Sequence, residues 1–206
     1  MVDSPPGVIR RFFRWLSSPS ARWSVAALLL VGVVLGATSV AGTQVGLAVT
    51  GSDAFCGNAC HSHEKFVFPD HKLSAHYTNR TGVRATCSDC HVPHNIAAKM
   101  VYKARAGIVD AIAEARGTIS TQEKFDKERW RLANIVWAEM RENNSANCRS
   151  CHDPAAWSAA KQNDDAQKQH KKFFSGKATC IECHTGVAHK EPEEPKDAAK
   201  TADASK

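Results

Sequence analysis

From Trp23 to Val49 the chain carries no charged residue, and the stretch includes Leu28, Leu29, Leu30, Val31, Val33, Val34 and Leu35. An apolar run of that length crosses a hydrocarbon core as one helix. Residues 1–22 before it are basic, with Arg10, Arg11, Arg14 and Arg22. Basic flanks stay on the cytoplasmic side. The pattern therefore predicts a cytoplasmic N-terminus over 1–22, a transmembrane anchor over 23–49, and everything from residue 50 on the far side of the membrane. A cleaved signal peptide would be shorter and would need a small-residue cleavage site; the best candidate, Ala37-Thr38-Ser39, is a poor one. Arg10-Arg11-Phe12-Phe13 has a faint twin-arginine look, and the positive-flank reading accounts for it equally well.

Beyond the anchor the pattern becomes helical and interrupted. Ile96, Met100, Ala104, Ile108, Ala111, Ile112 and Ala115 recur at three- and four-residue steps, and so do Phe125, Leu132, Val136 and Met140. Such spacing predicts two helices. Gly117 stops the first, and Ser120 or Thr121 can cap the second. No run alternates as a strand would. The expected fold is mainly α with extensive loops: a single N-terminal transmembrane helix, then a compact domain over 50–190. Residues 191–206, made of Glu, Lys, Asp, Ala and Pro, read as a disordered charged tail.

Cysteine spacing changes the picture most. The eight cysteines fall as Cys56/Cys60, Cys87/Cys90, Cys148/Cys151 and Cys180/Cys183, and each pair is followed at once by a histidine: His61, His91, His152 and His184. Cys-x-x-Cys-His is the attachment motif of c-type haem. Residues three apart on a helical turn share a face, so both thiols reach one porphyrin and the next imidazole reaches its iron. A disulfide scaffold or a zinc ribbon would not demand a histidine after every pair. The first site is wider, because Cys56-Gly-Asn-Ala-Cys60 places three residues between its thiols. Four covalently bound haem c groups are expected, in a domain facing the bacterial periplasm.

The haem domain reads as a duplicated dihaem unit. Arg84-Ala-Thr-Cys87-Ser-Asp-Cys90-His91 parallels Lys177-Ala-Thr-Cys180-Ile-Glu-Cys183-His184, with His76 and His170 before the motifs and His94 and His189 after them. An electron-carrying haem iron takes two protein ligands. The motif histidines fill the proximal positions by default. Of His63, His71, His76, His94, His170 and His189, the repeat selects His76, His170 and His189, then His94, as distal candidates. Porphyrins would supply apolar core that a domain this small cannot build from side chains.

The net charge of +6, from 27 Lys and Arg against 21 Asp and Glu, is roughly offset by the eight or so propionates of four haems. No basic and aromatic array points to nucleic acid.

These features together resemble the NapC/NirT family of membrane-anchored tetrahaem quinol dehydrogenases. The likeness lies in Arg84 through His94, in Gly117-Thr-Ile-Ser-Thr-Gln-Glu-Lys-Phe125, in Val136-Trp137, in Cys148-Arg-Ser-Cys151-His152 and in Cys180 through His189. The resemblance implies oxidation of the membrane quinol pool and electron delivery to a periplasmic reductase. Nitrate reductase comes first, with nitrite or N-/S-oxide reductases behind it. The haem at Cys56/Cys60 would be the point of electron arrival. Relatives often read Cys-x-x-Cys-His-x-Met there, with the methionine on iron; His63 holds that position here, so either His61 or His63 is the proximal ligand. The family also places a lysine and a carboxylate on the helix after the second motif, here Lys99 and Asp110, as quinol-site residues. Two other classes compete: a multihaem protein that itself reduces a small molecule, and a passive carrier, which needs no anchor. No other catalytic constellation is evident. The oligomeric state stays open, a homo-oligomer included.

Overall fold

The structure is a computed structural model that describes residues 7–16 and 23–195. Arg22 and residues 196–206 of the charged tail lie outside the described residues. The chain divides into two compact units, Met1–Ala48 and Val49–Lys206.

In the first unit, α1 (Val8–Leu16) carries Arg10, Arg11 and Arg14. Helix α2 (Val25–Gly51) has 27 residues, a mean hydropathy of 2.3 over its most apolar window, and none of that window buried in protein. At 1.5 Å per residue it is about 40 Å long, enough for a hydrocarbon core of about 30 Å. Its hydroxyls turn back on the helix, Thr38 donating to the Val34 carbonyl at 2.9 Å and Thr43 to Ser39 at 2.8 Å. That satisfies the polar groups of an otherwise apolar segment.

The second unit begins with the last residues of α2. It continues through α3 (Asp53–Asn58), a π-helical turn (His63–Val67), α4 (Phe68–Leu73), α5 (Cys87–His91), α6 (Ile96–Ala115), α7 (Gln122–Glu142), α8 (Ala146–Arg149) and α9 (Asp164–Phe174), with short 3-10 turns between and after. Among the described residues there is no strand. Helices α6 and α7 are the two that the periodicity predicts. Asn95 caps α6 through the Ala97 and Ala98 amides. Gly117 ends it at φ +62, a conformation that favours glycine. Of the two caps the sequence leaves open for α7, Thr121 takes the role, accepting from the Lys124 amide at 3.3 Å. The Ser120 hydroxyl instead bonds to the Gly117 carbonyl.

The hydrophobic core is sparse. Among the described residues the buried apolar side chains are Phe68, Val92, Phe125, Trp137 and Ile181. Ile96, Met100, Ile108 and Ile112 of α6 are exposed, as are Val83, Phe174 and Val187. A unit of this size held by so few buried residues depends on something other than side-chain packing.

Candidate haem-binding centre

Three of the four motifs fold as the same turn. The second lies within α5. In the third and fourth, the His152 amide bonds to the Cys148 carbonyl at 2.9 Å and the His184 amide to the Cys180 carbonyl at 3.0 Å. These one-turn closures set both thiols and the following imidazole on one side. The second and fourth motifs start from a shared device. Thr86 precedes Cys87 and its amide donates to the Asp89 carboxylate at 2.7 Å. Thr179 precedes Cys180 and its amide donates to Glu182. In each, the acidic side chain reaches back to the amide that opens the turn. The duplication seen in sequence therefore has a structural cause.

All eight cysteines are free thiols. Burial pushes Cys87 up to about 12 and Cys90 up to about 11. The thiols run in chain order, close enough to feel one another's charge: Cys56 with Cys87, Cys90 with Cys148 and Cys151, Cys148 with Cys180. Two hydrogen bonds fasten neighbouring motifs. Asp53 accepts from the Cys87 amide at 2.9 Å, and the Asn147 amide group donates to the carbonyls of Asp89 and Val92 at 3.1 and 2.9 Å.

The histidines form pairs. Ring centroids are 6.1 Å apart for His76 and His152, 6.3 Å for His170 and His184, and 6.2 Å for His91 and His189. A metal–imidazole bond is about 2 Å. Two such bonds plus the two half-rings make roughly 6 Å, so the spacing of each pair matches what two imidazoles on one ion require. Ring chemistry agrees. His76 donates through Nδ1 to the Val187 carbonyl at 3.1 Å, and His170 through Nδ1 to Gln162 Oε1 at 2.8 Å. Both leave Nε2 free for a metal, the usual arrangement for a ligating histidine. His189 has its Nδ1 buried without a hydrogen-bond partner, as expected of a nitrogen kept for a bound group. Burial holds its pKa down to about 4.

Among the described residues no group of three or more His, Cys, Asp or Glu side chains could hold a metal ion unaided. Two axial imidazoles per site need a ligand that brings its own equatorial nitrogens, and haem is such a ligand. A cavity of about 320 Å³ opens beside Cys90, His91, Tyr102, Val136 and Met140. The residues fit the group.

His94 is not brought opposite a motif histidine. It is exposed and donates through Nε2 to the Asp89 carbonyl at 3.3 Å. His71, which the repeat does not select, is buried 6.0 Å from His189, but its Nε2 is engaged by the Ala85 carbonyl at 3.1 Å.

The first motif is built differently. Cys56 lies inside α3, whose cap is Ser52, four residues upstream. Gly57 is buried against Phe68; a β-carbon there would come within 2.7 Å of the ring. The extra residue of this motif is thus accommodated by a glycine under an aromatic lid. His61 and His63 belong to none of the histidine pairs. His61 forms an ion-pair contact through Nδ1 with Glu114, and the buried Ser62 hydroxyl donates to the other oxygen of that carboxylate at 2.6 Å. The Ser62 bond, reinforced by the neighbouring histidines, holds Glu114 below the usual carboxylate range. Asp110 lies within electrostatic reach of His63 and Cys60, and desolvation raises its pKa.

At 100° per residue Lys99, Lys103, Asp110 and Glu114 share one face of α6. Asp110 and Glu114 reach the first motif from it. The Lys103 ammonium donates to the Thr50 carbonyl at 2.8 Å and to the Thr50 hydroxyl at 3.0 Å, and it acts electrostatically on Cys56. Among the described residues no hydrogen bond or ion pair involves the Lys99 side chain. Lys103 and Glu114 escape the sequence reading, although each lies one turn from a residue it selects, Lys103 from Lys99 and Glu114 from Asp110. Helical spacing is the signal that could have found them.

Comparison with known proteins adds four findings. The sequence profile described as "NapC/NirT cytochrome c family, N-terminal region" matches residues 18–194. The Escherichia coli (strain K12) "Cytochrome c-type protein NapC" is 38% identical over 93% of this chain and 94% of its own length. The "Denitrification system component NirT" of Stutzerimonas stutzeri is 43% identical over 86% of this chain and 88% of its own. A "tetraheme cytochrome-c type" protein of Allochromatium vinosum is 43% identical over 89% of this chain and 97% of its own.

Proposed function

This chain belongs to the NapC/NirT cytochrome c family, a membrane-anchored cytochrome with covalently held haem c, and on that premise we propose that it carries four haems, oxidises membrane quinol and passes the electrons to a periplasmic reductase. Nitrate reductase is the first candidate. A nitrite or an N-/S-oxide reductase is the alternative. The anchor is α2, with residues 1–22 cytoplasmic and the domain over 50–190 periplasmic.

The observation that carries the reading is the asymmetry between sites. Three motif histidines each stand about 6 Å from a second imidazole. Among the described residues the first motif has no such partner and is flanked instead by Asp110, Glu114 and Lys103. Its Cys56 follows the end of α2 at Gly51 by five residues. Three sites are closed for carrying electrons, and the one adjoining the membrane segment has acid–base groups around it.

His91 with His189, His152 with His76, and His184 with His170 are the pairs that would hold the haem irons of the second, third and fourth sites. At the first, His61 or His63 would hold the haem iron; the contact of His61 Nδ1 with Glu114 leaves its Nε2 free for that role. Haem c, when bound, supplies the chain of one-electron centres along which charge passes. Quinol oxidation releases two protons as well as two electrons, so the site needs a proton acceptor. Asp110, its pKa raised by desolvation, takes that role. Lys103 has three N–H donors, two of them engaged by Thr50, and the third is available to a quinol oxygen. Lys99, one turn earlier on the same face, flanks it.

The test is reduction of the purified protein by a menaquinol analogue and by a ubiquinol analogue, followed through the visible haem bands. Rapid reduction by either supports the assignment, and their ratio identifies the native quinone. Failure with both, in a protein whose four haems dithionite reduces, would leave a carrier or a terminal reductase.

A further inference from the structure

His189 sits in a segment with almost no regular structure of its own. After the 3-10 turn Cys180–Glu182 no helix follows through residue 195. A half-buried imidazole on a loop loses its position unless the backbone beside it is fastened. The fastening lies one residue on. The Lys190 amide donates to the Asp70 carboxylate at 3.3 Å, and the Lys190 carbonyl accepts from the Arg129 guanidinium at 2.6 Å. Arg129 is itself paired with the same oxygen of Asp70, both side chains being three-quarters or more removed from solvent. Its guanidinium lies 5.2 Å over the Phe125 ring, which stacks on Phe66 at 5.5 Å. Thr185 donates to Glu191 at 2.6 Å and closes the loop upon itself. Between the two fastenings the loop offers two things inward: the His189 ring, 6.2 Å from His91, and the Val187 carbonyl, which holds His76 by Nδ1.

We propose that Asp70 and Arg129 form a clamp that positions the 185–191 loop as a shared ligand strap, presenting His189 to the second haem iron and fixing the ring of His76 for the third. The inference rests on the reading of His91 with His189 and of His152 with His76 as axial pairs. A guanidinium that bridges a carboxylate and a backbone carbonyl is suited to this, because its donors are rigid and charge-assisted. The second histidine of the fourth site is held apart from the clamp. His170 lies on α9, is held by Gln162, and is packed by Trp157 at 4.9 Å.

The experiment uses the full-length holoprotein in detergent and measures carbon monoxide bound per ferrous chain, with haem content counted separately. H189A sets the reference and should bind about one equivalent more than the parent protein. R129M and D70N should move toward that value with four haems retained. R129K, which keeps the charge but not the fork, should lie between. Electron paramagnetic resonance should show the third site's low-spin signal shifted in R129M and the fourth site's unchanged. If H189A gains carbon monoxide and neither R129M nor D70N does, the clamp is refuted and the axial pairing stands. If H189A itself gains none, the pairing of His189 fails and the clamp with it. If R129M disturbs the fourth site as much as the other two, the residue serves general stability and the strap is refuted. Should R129M assemble with fewer than four haems, D70N, nearly isosteric with the parent, decides the matter by the same criteria.

Discussion

The second and fourth motifs are near copies of each other, and the first is unlike either. In the copies a threonine stands immediately before the first cysteine, an acidic residue reaches back to its amide, and a second imidazole waits about 6 Å from the motif histidine. In the first motif the cap stands four residues earlier, a glycine lies beneath Phe68, and carboxylates stand nearby, with no second imidazole ring paired with His61 among the described residues. A pair of imidazoles closes an iron to everything but electrons. Carboxylates and an ammonium beside a motif serve a substrate that exchanges protons. On the proposed function, the difference separates carrying charge from receiving it.

The sharpest way to break this comparison is to remove proton chemistry from the first site alone. Asp110→Asn should slow quinol-driven reduction by about 100-fold or more, the usual scale for a lost proton acceptor. Four haems should remain attached and fully reducible by dithionite. An unchanged quinol rate would move proton acceptance elsewhere, with Glu114 the next carboxylate on that face. Lys103→Met should cost about 10-fold, the scale of one lost charge-assisted hydrogen bond, and Lys99→Met should cost less. The reverse order would return the donor role to Lys99, the residue the family resemblance implies.

Much of this contrast could be read before any coordinates. Apolar spacing gave α6 and α7, the uncharged run gave α2, and cysteine counting gave four motifs in two similar units. The distal histidines could not be matched to motifs by spacing. His76 meets His152, 76 residues away, rather than the motif that follows it. The loop chemistry that brings them together, through Val187, leaves no periodic trace. His94 shows the same limit from the other side. Its place in the repeat equals that of His189, but the second repeat bends a loop inward where the first keeps its histidine on the surface, bonded to the Asp89 carbonyl. Helical geometry was legible and loop closure was not, because the former repeats every few residues and the latter depends on contacts such as Arg129 with Lys190, 61 residues apart.

Smaller perturbations test how each motif is held. Gly57→Ala puts a β-carbon within 2.7 Å of the Phe68 ring. Overpacking of that kind costs about 1–3 kcal/mol, and a thermal melt should show it as a drop of several degrees. The visible band of the first haem should shift with it, leaving the axial pairs of the others intact. Insensitivity would mean that Phe68 swings away freely and that the wide spacing needs no glycine. Asn147→Ala removes two hydrogen bonds to the backbone around the second motif, at about 1–2 kcal/mol, while the Asp89 carbonyl keeps its bond from His94. Its effect should fall on the junction between the second and third motifs.

The finest test divides the two copies themselves. At the second motif the Thr86 hydroxyl donates to Asp89 at 2.7 Å. At the fourth, the Thr179 hydroxyl is buried with no hydrogen-bond partner. Valine has nearly the same shape as threonine but no hydroxyl. Thr86→Val should therefore cost about 1 kcal/mol, as other lost caps do, and Thr179→Val should be within about 0.5 kcal/mol of neutral, since it removes a buried polar atom that has nothing to bond. Denaturant melts of the two single variants would measure the difference. Equal losses would mean that the fourth cap is as complete as the second and that the duplicated units have not diverged there. An unequal result would show that, of the shared device, the fourth motif relies on the carboxylate of Glu182 reaching the Thr179 amide and no longer on the hydroxyl beside it.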